Sequence, residues 1–175
     1  MAKQTLKITS VAVKQPQLET AAAATTTAPL QLSLTVENPG TQPLYVWASW
    51  RAYDYDAASH VLTVYLTGDP PPPPGITLIS DHPRTPAQVV VTPKGKLTLK
   101  VELPATIRRR VPSAGLGLNF VEEPIGKIER VDSHIQFATE AFETKAHETP
   151  EQHRTRMLAQ GEVVRATLTT TEQKE

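Results

Sequence analysis

Apolar residues recur at every second position over much of this chain. In "LQLSLTVE", Leu30, Leu32, Leu34 and Val36 point one way, while Gln31, Ser33, Thr35 and Glu37 point the other. "KLTLKVEL" repeats the pattern, with Leu97, Leu99, Val101 and Leu103 set against Lys96, Thr98, Lys100 and Glu102. "LKITSVAV" alternates too, but Leu6 and Ile8 give way to Val11 and Val13, so its register shifts near Ser10. Further strands are expected in "PLYVWASWRAY", "HVLTVYLTG", "AQVVV", "AGLGLNFVEEPIG", "KIERVDSHIQFATEAF" and "EVVRATLTTT". Turn chemistry separates several of them: Asn38-Pro39-Gly40, the hairpin loop Asp56-Ala57-Ala58-Ser59 between "PLYVWASWRAY" and "HVLTVYLTG", and Pro93-Lys94-Gly95. One segment breaks the period. In "TPEQHRTRMLAQG", Thr149 can cap a helix, Pro150 suits its first position, Gln152 completes a capping box and Gly161 can close it.

Eight or nine short strands, turns at regular intervals and one helix predict an all-β fold, an antiparallel β-sandwich rather than a doubly wound sheet. An up-and-down or jelly-roll barrel is the rival arrangement. The sandwich is expected over residues 1–146, with the helix and a final strand or tail over 147–175. Two long connections interrupt it. An Ala/Thr-rich, low-complexity loop occupies 14–29, and a Pro-rich loop occupies 68–86, including five consecutive prolines from Pro70 to Pro74.

"LQLSLTVENPGTQPLYVWASW" resembles the strand–turn–strand opening of bacterial immunoglobulin-like domains. "TPKGKLTLKVELP" is similar to the Gly-turn and late strand of the same class. The resemblance covers residues 28–140 and concerns the fold alone. The cysteine pair of antibody-type domains is absent, so neither Trp47 nor Trp50 is matched to their core tryptophan. The class implies adhesion, adaptor, inhibitor or spacer roles, and the fold itself assigns none of them.

Composition narrows the field. The 175 residues can bury a sizeable core, and 39% apolar with 21% charged residues is too apolar for a wholly disordered chain. With no cysteine, disulfides, thiolate metal sites and cysteine nucleophiles are excluded. No window approaches the ~18 apolar residues of a membrane span, and "MAKQTLKITSVAV" lacks a signal-peptide pattern, so a cytoplasmic protein is expected. Lys plus Arg equals Asp plus Glu at 18 each, which argues against nucleic acid as the partner. The balance is uneven along the chain. Residues 37–81 hold five acidic groups and one basic, Arg51; residues 84–110 hold seven basic and one acidic, Glu102. Two such surfaces, if exposed, could join copies of the chain.

Enzymatic and metal motifs are absent. The five histidines show neither HxH nor HxxxH spacing, and there is no GxSxG, phosphate-binding or dinucleotide loop. No cofactor and no metal are therefore expected, nor any catalytic residue. The proline run lacks the adjacent Arg, Lys, Tyr or Phe of the usual proline-recognition ligands, so it reads as a stiff connection. A stiff loop can still be held out to a partner. Pro70, Pro72 and Pro74 would brace it, and Leu78, Ile79 and Arg84 would be its anchors, as in a proteinase inhibitor. A second candidate surface is aromatic. With Leu44, Val46, Ala48 and Trp50 facing the core, Tyr45, Trp47, Arg51 and Tyr53 share the other face. That face would bind a partner or a sugar ring unless Met157 and Leu158 of the helix cover it. A non-enzymatic protein–protein interaction module is the expectation, with an intracellular inhibitor and a carbohydrate-binding sandwich as alternatives.

Overall fold

The computed structural model describes residues 5–16, 28–68, 86–111 and 119–172. Its first sheet is set by the cleanest alternation in the sequence. Strand β2 (Leu30–Glu37) pairs antiparallel with β1 (Lys7–Lys14) on one side and β7 (Lys96–Leu103) on the other. The β2–β7 register places Leu30 opposite Leu103, Leu32 opposite Val101, Leu34 opposite Leu99 and Val36 opposite Leu97. Every apolar side chain of the pair thereby falls on one face. The expected shift in β1 is present as an irregularity between Ile8 and Ser10, which returns Val11 to the buried side.

The second sheet is built on β10 (Arg130–Ala138). Strand β11 (Glu162–Thr169) runs antiparallel along one edge. The other edge is shared. β5 (Val61–Leu66) runs parallel over Arg130–Ile135, and β3 (Leu44–Trp47) takes over, antiparallel, at Phe137 and Ala138. β4 (Ala52–Asp56) pairs with β5, and β6 (Gln88–Val91) with β3, so the sheet forks at the end of β10. The turn at Pro93-Lys94-Gly95 thus joins strands of different sheets, β6 and β7, rather than a paired hairpin. Lys94 sits there at φ 57°, and a Cβ on Gly95 would come within 2.9 Å of the Thr92 carbonyl oxygen. The chain ends by crossing back. β12 (Thr171–Glu172) lies parallel to β1, and the Thr171 hydroxyl donates to the Val11 carbonyl at 3.1 Å.

One buried cluster draws on both sheets, from Ile8, Leu32, Leu34 and Leu99 to Val46, Leu62, Val64 and Ile135. Each such side chain contributes about 1.5–3 kcal/mol when fully removed from water. Asn38, fully buried, pins the corner between the sheets. Its side-chain amide donates to the Gln42 and Val91 carbonyls at 2.7 and 3.0 Å, and its backbone N–H donates to the Gly95 carbonyl.

The helix α1 (Pro150–Gln160) forms where its capping signals lie. The Thr149 hydroxyl accepts from the Gln152 N–H at 3.2 Å, and the Gln152 side chain accepts from the Thr149 N–H at 3.0 Å. Among the described residues no helix is long and apolar enough to cross a membrane. His153 and Met157 form the buried side of α1. Just before it, the Glu148 carboxylate is gripped by Arg156, which donates to both of its oxygens, by the His153 ring at 3.2 Å and by the Lys145 N–H at 3.3 Å. The Arg156 hydrogen bonds outweigh partial burial and hold the Glu148 carboxyl well below its ordinary range, at about 2. A depressed carboxylate stabilises the fold above its unfolded value and ceases to do so as pH falls. Helical circular dichroism and the melting temperature should accordingly fall between pH 4.5 and 2. Glu148→Gln should lower the melting temperature at neutral pH and flatten that acid dependence; an unchanged acid profile in the variant would show that the grip is not felt.

Candidate interaction surface

The anticipated loop anchors Pro70, Pro72, Pro74, Leu78, Ile79 and Arg84 lie outside the described residues, as does most of the 14–29 connection. The flanks of the Pro-rich segment are described, and both rest on β3. The Ala48 N–H donates to the Ala87 carbonyl at 2.7 Å, Gln88 pairs opposite Trp47, and Gly68 lies beside the Trp47 ring.

The aromatic face does not form as expected. Alternation from Leu44 to Tyr53 assumed one continuous strand, but β3 stops at Trp47 and β4 starts at Ala52. The irregular residues between them reset the phase. Tyr53 then turns toward the core side of β4, with its ring edge-on to Trp50 at 5.3 Å and its hydroxyl donating to the Thr106 carbonyl at 2.8 Å. Burial and nearby Glu122 push the Tyr53 phenol upward. Trp47 keeps the outward direction but is 9% exposed, with the Phe142 ring edge-on at 5.8 Å. Tyr45 is half-buried against the same cluster as Trp47 and Met157. The three aromatics therefore make no open platform for a sugar, because Tyr53 turns to the core side and Phe142, in the connection to α1, packs on Trp47. Its indole Nε1 is buried without a hydrogen-bond partner among the described residues.

Next to Trp47 stands Gln136, 1% exposed. Its side-chain oxygen accepts from the Gly68 N–H at 2.6 Å and the Thr67 hydroxyl at 3.1 Å, while its amide donates to the Met157 carbonyl at 2.6 Å. One side chain thus joins β10, the start of the Pro-rich segment and the end of α1. A Cβ on Gly161 would come 2.8 Å from the Phe137 carbonyl oxygen, so the chain leaves α1 too close to β10 for a larger residue. Gln88 does the same for the incoming connection. Its side chain bonds the Phe142 N–H and carbonyl at 2.9 and 2.8 Å.

Farther along the outward side of β10, Asp132 accepts from Arg165 at 3.1 and 2.7 Å and from the Thr167 hydroxyl at 3.1 Å, with the His134 ring at 3.4 Å. Burial opposes its charge, yet Arg165 and His134 hold the carboxyl below its ordinary range. The His134 ring leans on Tyr65 at 4.6 Å, and burial followed by Asp132 pushes the Tyr65 phenol up. The Asp132 oxygens are spent on this network. Among the described residues, no three His, Asp or Glu side chains are grouped to hold a metal ion.

The strand expected in "AGLGLNFVEEPIG" is β9 (Asn119–Pro124), and it pairs with a strand that the sequence pattern does not mark, β8 (Thr106–Val111), in a two-stranded ribbon of its own. Its base is fastened. Ile107 and Ile125 are buried, the Ile125 N–H donates to the Ala105 carbonyl at 2.8 Å, and Arg109 donates to the Tyr55 carbonyl. Arg109 also reaches Asp54 at 3.4 Å and Glu123 at 3.2 Å. Beyond that base every residue of β9 is exposed. Phe120 is 39% and Val121 44% exposed, and as neighbours on a strand they lie on opposite faces of the ribbon. Arg108 covers part of Phe120, its guanidinium carbon 4.4 Å from the ring centre. The acidic and basic segments also meet here and at Lys96, 3.2 Å from Glu37, so part of the expected charge separation is neutralised within the molecule.

Compared with known proteins, the chain matches no family model, no curated protein and no solved structure.

The Gln136 contacts set the sharpest expectation for this region. Gln136→Leu leaves the Gly68 N–H and Met157 carbonyl buried without partners and should cost roughly 2–4 kcal/mol. Urea unfolding measures the loss, and Trp47 fluorescence reports whether its cover loosens. A variant as stable as wild type would remove Gln136 from this role.

Proposed function

We propose that this chain is a protein–protein interaction module on an immunoglobulin-like sandwich, working by contact rather than catalysis, as an adaptor or a subunit of an assembly. The observation that carries this reading is the β8–β9 ribbon. A strand that packs on its own sandwich buries one face, whereas β9 leaves apolar side chains accessible on both. The base of the ribbon is held by Arg109, Tyr53 and Ile107, so Phe120 and Val121 are presented from a fixed support, which reduces the ordering cost of binding. Arg108, Glu122 and Glu123 surround the apolar pair with charge of both signs, the arrangement of an apolar centre with a polar rim.

The immunoglobulin-like assignment draws support from the strand pairing. β3, β10 and β11 form one antiparallel run, β1, β2 and β7 another, and the last strand passes between the two sheets. The resemblance in residues 28–140 points the same way.

The test is a double substitution, Phe120→Ser with Val121→Ser. Both side chains are exposed, so circular dichroism and the melting temperature should stay unchanged. Proteins that co-purify from cell lysate with the immobilised wild-type chain should be lost from the variant. A folded variant that retains the same co-purifying proteins would overturn the ribbon as the contact surface.

A further inference from the structure

β7 ends the first sheet: among the described residues it pairs only with β2. Its eight consecutive residues pair with β2 without a bulge, so its outer edge is a regular row of backbone donors and acceptors. Such an edge is a template for another strand, and the side chains decide which. On the solvent face β7 carries Lys96, Thr98, Lys100 and Glu102, all exposed; on the core face it carries Leu97, Leu99, Val101 and Leu103.

We propose that β7 pairs with β7 of a second copy of this chain, antiparallel, with Leu99 opposite Leu99 on the two-fold axis. An axis perpendicular to the sheet keeps the core faces of both copies on the same side, so only registers centred on a residue are compatible with the pleat. In the Leu99-centred register, Lys96 faces Glu102 of the second copy twice, and Thr98 faces Lys100 twice. Leu97 faces Val101 on the core side, extending the apolar face through the junction. Opposite charges directly across an antiparallel pair are stabilising, and like charges destabilising. Moving the centre by one residue opposes like charges: Lys100 meets Lys100 in one direction, and Lys96 meets Lys100 in the other. The edge is thus complementary to itself in this register. Lys100 and Glu102 form no ion pair with any described residue, and Lys96, 63% exposed at its side chain, is held only by Glu37 on the same face. The contact is separate from the β8–β9 ribbon and does not depend on it.

Two single substitutions test the register. Lys96→Glu makes positions 96 and 102 both acidic, and Glu102→Lys makes both basic. Glu102→Lys leaves the Lys96–Glu37 pair in place, since Glu102 stands opposite Gln31. In analytical ultracentrifugation the wild type should sediment at twice the 19.1 kDa chain mass, and each variant at the chain mass. An equimolar mixture of the two variants should return to the doubled mass. In that mixed pair the acidic chain meets the basic chain at both ends, so each 96–102 contact again joins opposite charges. The dimer should also weaken as salt is raised. A wild type that stays monomeric, single variants that remain dimeric, or a mixture that stays monomeric each overturns the proposal. The Phe120→Ser, Val121→Ser protein should dimerise like wild type, which keeps this outcome distinct from that of the ribbon.

Discussion

A strand buried on both faces usually carries an unbroken apolar run. β10 instead alternates Val131, Ser133, Ile135 and Phe137 on its core side with Asp132, His134 and Gln136 on the other. Each outward polar group must be matched, because an unmatched one costs far more than a made bond returns. Asp132 is matched by β11 through Arg165 and Thr167, and Gln136 by Thr67, Gly68 and Met157. The second sheet, the helix and the root of the Pro-rich segment are therefore held by specific geometry around one strand. An apolar strand there would gain burial energy but would not specify which backbone groups come to meet it.

The polar satisfaction of β10 and the openness of the other elements are complementary. Phe142, in the connection to α1, covers Trp47, and the β11–β12 crossing joins the sheets on one flank. Among the described residues, β7 along one edge and the ribbon beyond β4 stay accessible. Both carry charge of both signs. Neither the polar face of β7 nor the exposed residues of β9 are ones the core removes from water.

Much of the architecture was legible because burial imposes period two. β2 and β7 could be placed to the residue, the shift in β1 was visible in the step from Ile8 to Val11, and the helix start followed from Thr149, Pro150 and Gln152. Trp47 shows the limit of that signal: alternation holds only while a strand continues, and the irregular residues between β3 and β4 erase the phase for Tyr53. β8 was hidden for a related reason. Arg108-Arg109-Arg110 reads as a basic cluster, since a ribbon open on both faces needs no apolar alternation. Pairing was legible where a tight loop dictates it, as across Asp56–Ser59 between β4 and β5, but not between strands distant in sequence. The parallel match of β5 with β10 and the separation of β6 from β7 arise from contacts far apart in sequence, and nothing near Gln136 distinguishes it from a surface glutamine.

The crossing of the last strand has a mechanical meaning. β1 and β12 run parallel, so the chain enters at one end of their shared ladder and leaves at the other. Tension drawn through the two flanking segments would load Ala12–Thr171 and Val13–Glu172 along the strand axis, in shear, and strain their bonds together instead of one after another. The Thr171 hydroxyl adds a side-chain strut to the same short seam. A module tethered at both ends in an assembly would transmit pull through this seam while the Gln136 junction, set across the second sheet, stayed out of the line of force.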